Sequence, residues 1–138
     1  MTWLTVNDHL VYGRPWLDGQ VALASVIPAS GAMTLATTIA LPVIRGPVGL
    51  AKSLAAIDRL SGGRLVVGVG PGSSERDYRS VGVAWGERWP RFEEAVQALR
   101  SLLRPGGPPF LGPFYSTEGI ELRPGPTAPE GPPIWLGS

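Results

Sequence analysis

Apolar and β-branched residues fall into short runs separated by glycine, proline and polar clusters. Trp3 to Val6 runs into Asn7-Asp8-His9 and predicts a strand ending in a polar loop. Asp18 is placed to N-cap a helix over about residues 19–27, an Ala-rich segment cut short by Pro28 and Gly31. Met33 to Leu41 predicts a second strand, with Met33, Leu35, Thr37, Ile39 and Leu41 on one face. Pro47 opens the next helix, where Leu50, Leu54 and Ile57 recur at i, i+4 and i+7 until Ser61-Gly62-Gly63 stops it. Arg64 to Val69 lacks polar alternation, as expected of a strand covered on both faces. A Gly/Ser/Pro loop follows, in which no helix is expected, and then an amphipathic helix over Arg88–Arg104. Residues 105–132 form a Pro/Gly-rich excursion before a last strand around Ile134-Trp135-Leu136. The order β-α-β-α-β-α-β implies an α/β fold of parallel strands with right-handed crossovers.

Composition narrows this picture. Gly and Pro together make 34 of 138 residues (19 and 15), but 43% hydrophobic content and a mean hydropathy of +0.11 argue against disorder. Net charge is +1, and the basic residues are scattered, which removes the electrostatic footprint of a nucleic-acid binder. There is no Cys, so no disulfide, thiolate metal site or Cys nucleophile is available; the single His excludes a multi-His metal site. No run of 18 apolar residues and no signal-like N-terminus is present, so the expectation is a cytoplasmic protein without membrane contact. A length of 138 residues is below the roughly 200 that a complete (βα)8 barrel needs.

Two segments carry candidate chemistry. Asp8-His9 sits at the carboxyl end of the first strand, where α/β folds build ligand crevices, and a neutral imidazole there could exchange a proton near pH 7. Gly68-Val-Gly70-Pro-Gly72-Ser73-Ser74 follows a buried strand and reads either as a tight turn or as backbone that approaches a ligand closely. It is neither a dinucleotide fingerprint nor a P-loop. Thr37 and Thr38 lie mid-strand on opposite faces, so one points inward. The five Trp read as core and loop packing, with Trp16 the one placed near a ligand. Arg45 reads as a surface residue, with an anion-holding role at the next helix as the alternative; Glu93-Glu94 reads as a solvated helix edge.

Val6-Asn-Asp-His9, Leu41-Pro-Val-Ile-Arg-Gly-Pro-Val48, Ser61-Gly-Gly-Arg64 with Gly68-Val-Gly-Pro-Gly-Ser-Ser74, Gly112-Pro-Phe-Tyr115 and Pro132-Pro-Ile-Trp135 together resemble the luciferase-like monooxygenase family. The resemblance covers essentially the whole chain, taken as one unit of residues 1–138. It implies a partial (βα)8 TIM barrel, four parallel strands matching the second to fifth of the family barrel, with the first strand and helix preceding Met1. It implies a flavin- or deazaflavin-dependent oxidoreductase using FMN or coenzyme F420, acting by hydride transfer or monooxygenation on a small organic substrate. Two other readings stay open: a cofactor-binding protein without turnover, and an inactive remnant persisting as an oligomer.

By the same resemblance, His9 would be the proton donor or electrostatic stabiliser, with Asp8 beside the ring. Thr37 and Thr38 would back the ring, where the family carries a bulge and often a non-prolyl cis peptide. Gly70, Gly72, Ser73 and Ser74 would line its other side. In deazaflavin-dependent sugar-phosphate dehydrogenases a Glu proton donor stands where this chain has Ser73, which counts against that reaction. Four strands with helices on one side would leave inward Val, Leu and Ile side chains and two strand edges uncovered, so the chain is expected to self-associate as a homo-oligomer over that face.

Overall fold

A computed structural model describes residues 2–137; the expected unit of residues 1–138 extends one residue beyond this at each end. Four strands, β1 (Trp3–Val6), β2 (Thr34–Ala40), β3 (Leu65–Val69) and β4 (Ile134–Leu136), form one sheet in the order β1-β2-β3-β4, every pair parallel. Between them run α1 (Gly19–Ser25), α2 (Pro42–Arg45), α3 (Pro47–Leu60), α4 (Glu75–Ser80) and α5 (Arg88–Leu102). This is an α/β fold and half of a (βα)8 barrel.

Local signals explain most boundaries. The Asp18 carboxylate accepts the Val21 N–H and starts α1, which gives way to a 3-10 turn over Ile27–Ala29 at Pro28. Pro47 occupies the first turn of α3, and Leu50, Leu54 and Ile57 are buried along one stripe. On α5, Phe92, Ala95, Val96, Leu99 and Leu102 form the matching stripe. These two helices pack with Leu35, Leu65, Val67 and Val69 into one core, where each large apolar side chain contributes about 1.5–3 kcal/mol of burial.

The structure corrects three expectations about the elements. The loop after β3 does contain a helix: Ser74 Oγ accepts the Asp77 N–H and caps α4. The pattern Ser74-x-x-Asp77 carries that signal in the sequence. Second, β2 does not keep one face from Met33 to Leu41. Thr37 pairs with Val67 and Ala40 with Val69, so three steps on β2 span two on β3, and Ala40 replaces Ile39 on the helix-facing side. The Thr38–Ile39 peptide in this bulge is cis.

Third, the lumen-facing side of the sheet is not a row of Val, Leu and Ile. Leu4, Val6, Leu35, Leu65, Val67, Val69 and Ile134 all turn outward to the helices. The alternation leaves Trp3, Thr5, Thr34, Ala36, Val66, Gly68 and Trp135 on the other face, where Ile39 joins them past the bulge. The Trp3 and Trp135 rings, from the two edge strands, lie 5.5 Å apart. They bridge over β2 and β3, and Ala36 and Val66 on that face are buried.

The 105–132 excursion is irregular but tied down. Asp58 Oδ2 accepts the Thr127 N–H at 2.8 Å, Arg59 Nε donates to the Gly125 carbonyl, and Thr117 Oγ1 accepts from Phe110 N. Glu94, expected as part of a solvated edge, accepts the Phe114 and Tyr115 N–H groups through Oε2; Glu93 is exposed.

Candidate functional site

The carboxyl ends of β1, β2 and β3 open into a cleft of about 310 Å³ lined by Asn7, Asp8, His9, Thr38, Ile39, Leu41, Pro71, Gly72, Ser73 and Trp89. Larger hollows, about 480 and 400 Å³, lie among Arg104, Pro105 and the excursion, beside the C-terminus of α5. That is the amino end of the sheet, away from where parallel strands present their ligand crevices.

Of the residues singled out in the sequence, Asp8, His9, Thr38, Gly72 and Ser73 converge on the cleft. Thr37 does not: it is buried on the helix-facing side, and its Oγ1 donates to the Gly68 carbonyl at 2.7 Å. Ser74 is occupied in capping α4. Gly70 lies behind the lining, where its lack of a side chain is required. A Cβ there would stand 2.1 Å from Ile39 Cδ1 and 3.0 Å from the Gly137 carbonyl oxygen. Gly72 takes φ +80°, turning the loop back over Leu41.

Asp8 reaches the cleft wall, but its carboxylate is turned into the fold. Oδ1 meets Arg45 Nη2 at 2.5 Å; Oδ2 accepts Arg45 Nε at 3.1 Å, Gln20 Nε2 at 3.3 Å and Leu41 N at 3.4 Å. Arg45 is therefore neither a surface residue nor an anion holder at the next helix. Its remaining Nη1 donates to Asp18, so one guanidinium ties the β1 loop to the start of α1. Burial works against its charge, and the two carboxylates more than restore it, raising its pKa. Burial also pushes the Asp18 carboxyl up, but the Val21 N–H and Arg45 outweigh that and hold it below its ordinary value.

His9 is held by a residue the sequence reading did not single out. Asp77, on the first turn of α4, places Oδ2 3.0 Å from His9 Nδ1, while its Oδ1 accepts the N–H groups of Leu10 and Val11 at 3.1 and 2.7 Å. Tyr12 stacks on the imidazole at 4.5 Å, and Trp16 meets the histidine ring edge-on at 6.0 Å. Tyr78, next to Asp77, donates to the Pro71 carbonyl at 2.6 Å and so braces the glycine loop; burial pushes its hydroxyl up to about 12.

Trp3, Trp89 and Trp135 are more exposed than the packing role expected of them implies. Trp3, Trp16, Trp89 and Trp135 are each more than a third exposed; Trp16 flanks His9 and Trp89 lines the cleft. Trp85 alone is largely packed, against Tyr78 and under Arg88.

Chemically, the cleft offers an apolar surface from Ile39, Leu41 and Pro71, with polar groups of Asn7, His9 and Ser73 at its border. That suits a planar heteroaromatic ring. No Lys or Arg lines it, so the lining suits a ring better than a phosphate. Among the described residues no group of three or more His, Cys, Asp or Glu could hold a metal ion, and no helix is long and apolar enough to cross a membrane.

The family model for the luciferase-like monooxygenases matches residues 1–138. Among curated proteins, the chain is 33% identical over 144 residues to the F420-dependent glucose-6-phosphate dehydrogenase of Nakamurella multipartita, covering 96% of this chain and 41% of that protein. It is 30% identical over 129 residues to the FMNH(2)-dependent dimethylsulfone monooxygenase of Pseudomonas putida, covering 91% and 36%. Among solved structures, monooxygenase RslO1 from Streptomyces bottropensis superposes with a TM-score of 0.89 at 27% identity, covering 98% of this chain and 42% of that one. The chain thus spans well under half the length of these relatives.

Proposed function

We propose, for a chain that belongs to the luciferase-like monooxygenase family, that its cleft binds the ring system of FMN or coenzyme F420 and contributes half of an oxidoreductase site acting on a small organic molecule. The observation that carries this reading is the position of His9. It stands at the carboxyl end of β1, bordering an apolar cleft, with Nδ1 engaged and Nε2 making no hydrogen bond to the described residues.

When bound, such a group supplies the hydride-transfer or oxygen-activating chemistry itself. This chain's residues would receive and orient it. Ile39, Leu41 and Pro71 would lie against its apolar surface, and the backbone of Gly72 and Ser73 would approach it closely because no side chain intervenes at position 72. Asn7 and Ser73 offer hydrogen bonds to the polar edge. His9 Nε2 would take a proton from, or give one to, a reacting atom. Asp8 would serve indirectly, through Arg45 and Gln20, by fixing the loop that carries His9. Thr37, Gly70 and Ser74 would support the walls rather than touch the ring. The absence of Lys and Arg from the lining, together with Ser73 in place of a carboxylic acid, favours a neutral substrate over a sugar phosphate.

Titration of the purified protein with FMN and with F420, followed by cofactor fluorescence, tests this. Saturable binding of one of them, weakened by Ile39→Asp, is expected; no binding of either at near-millimolar concentration rejects the reading.

A further inference from the structure

We propose that Asp77 is the positioning residue for His9: it holds the imidazole in the Nδ1–H tautomer, so that Nε2 is the ring nitrogen left to act in the cleft. This rests on the reading that His9 works at that cleft, but the tautomer can be read without any cofactor.

Asp77 is 1% exposed, and its carboxylate is used in two distinct ways. Oδ1 alone accepts the Leu10 and Val11 N–H groups and pins the loop after β1. A purely structural anchor would need nothing more. Oδ2 is left for His9 Nδ1 at 3.0 Å, and an ionised carboxylate can only accept, so the proton of that bond sits on Nδ1. Tyr12 stacks on one face of the ring at 4.5 Å and Trp16 lies edge-on to it at 6.0 Å, so both rings support the orientation in which Nδ1 meets Asp77. The groups facing the imidazole are therefore Asp77, Tyr12 and Trp16, while the neighbouring Asp8 carboxylate is committed to Arg45.

The functional consequence follows from the ring's two nitrogens. With Nδ1–H fixed, neutral His9 presents a lone pair at Nε2 and can accept a proton there. Once it has done so, the Asp77 charge offsets the imidazolium, and Nε2 can return the proton. The opposite tautomer would present an N–H at the same place and could not act as a base.

Asn at position 77 should reverse the arrangement. Its Oδ1 would be retained by the two backbone N–H donors, which turns the NH2 group toward His9 Nδ1. Nδ1 must then accept, and the neutral ring becomes Nε2–H. The chain's only histidine makes the measurement direct: 15N NMR of the cofactor-free protein shows one pair of ring nitrogens. With its ring neutral, the wild type is expected to carry the pyrrole-type signal at Nδ1, and Asp77→Asn to move it to Nε2. A wild-type ring protonated at Nε2 overturns the proposal, as does an Asp77→Asn ring that keeps Nδ1–H. The wild-type spectrum decides if the variant does not fold. Failure of the cofactor titration with the expected tautomers in hand would sink only the functional reading above.

Discussion

Asp8 and Arg45 meet as a two-point ion pair, Oδ1 to Nη2 at 2.5 Å and Oδ2 to Nε at 3.1 Å, directly behind the wall of the cleft. Both side chains are largely buried, and Arg45 carries a second carboxylate, Asp18, on its remaining nitrogen. The pair joins three segments that are distant in sequence: the loop after β1, the start of α1, and α2. In the proposed site its effect would be mechanical, because His9 is the next residue along from Asp8.

Removing one partner is worse than removing both. Arg45→Met leaves the Asp8 carboxylate buried without its countercharge, at an expected cost of about 3 kcal/mol. Asp8→Asn combined with Arg45→Met should recover part of that loss, since the only carboxylate left without Arg45 is the partly exposed Asp18. Urea denaturation of the wild type, the two single variants and the double variant measures the coupling. An Arg45→Met protein within about 0.5 kcal/mol of wild type would show that the pair is energetically idle.

Asp18 gives the same network a pH signature. Its folded-state carboxyl is held below the ordinary value, so it contributes stability above that value, and the contribution is lost as pH falls through the lower, folded one. Asp18→Asn should therefore melt below wild type at pH 7, and the gap should close as the pH drops beneath the carboxylate range. Its side chain is partly solvent-exposed, so the gap is expected to be small and to shrink further in high salt. Melting curves across pH at two salt concentrations provide the check; a gap that widens in acid contradicts the assignment.

Two glycines of β3 and its loop should respond differently to alanine. At Gly68 a Cβ would lie 2.2 Å from the Thr37 carbonyl oxygen, which is backbone and cannot give way. At Gly70 the closest atom is Ile39 Cδ1, the end of a side chain, at 2.1 Å. Gly70→Ala is expected to cost about 1–3 kcal/mol and to be largely rescued by Ile39→Val, which deletes that Cδ1. Gly68→Ala should cost more and be indifferent to Ile39→Val. Equal rescue of both variants, read by thermal denaturation, would contradict the packing described for β2 and β3.

The strands and long helices were legible because their signals are local. Asp18 caps α1, Pro47 opens α3, and Leu50, Leu54 and Ile57 repeat at helical spacing. The direction of β2 was not, because its bulge inserts a residue that periodicity cannot anticipate: Ile39 goes to the lumen and Ala40 to the core. The site was half legible. Asp8, His9, Gly72 and Ser73 sit where strand ends predict, but what each side chain does depends on partners far along the chain. Asp8 finds Arg45 37 residues away, and His9 finds Asp77 68 residues away. The lumen face was misjudged for a related reason: an unbroken apolar run such as Leu65–Val69 does not say which of its residues face which way, and the row Ala36–Val66–Gly68 proved small.

That lumen face yields the last prediction. Trp3 and Trp135 cover Ala36 and Val66 but remain well exposed themselves, and the outer edges of β1 and β4 are unpaired within the sheet. Parallel sheet with one face to water is rarely stable, and free edges offer backbone groups to a partner. The expected outcome is reversible self-association through this face, two copies bringing their Trp pairs together. Sedimentation velocity across a wide concentration range should show a species larger than the monomer. Trp135→Glu, which places a charge at the middle of the proposed contact, should shift the population to monomer while leaving the far-UV circular dichroism unchanged, because Trp135 lies outside the helix-packed core. A wild-type chain that sediments as a monomer at every concentration would show that the Trp3–Trp135 bridge closes the face sufficiently by itself.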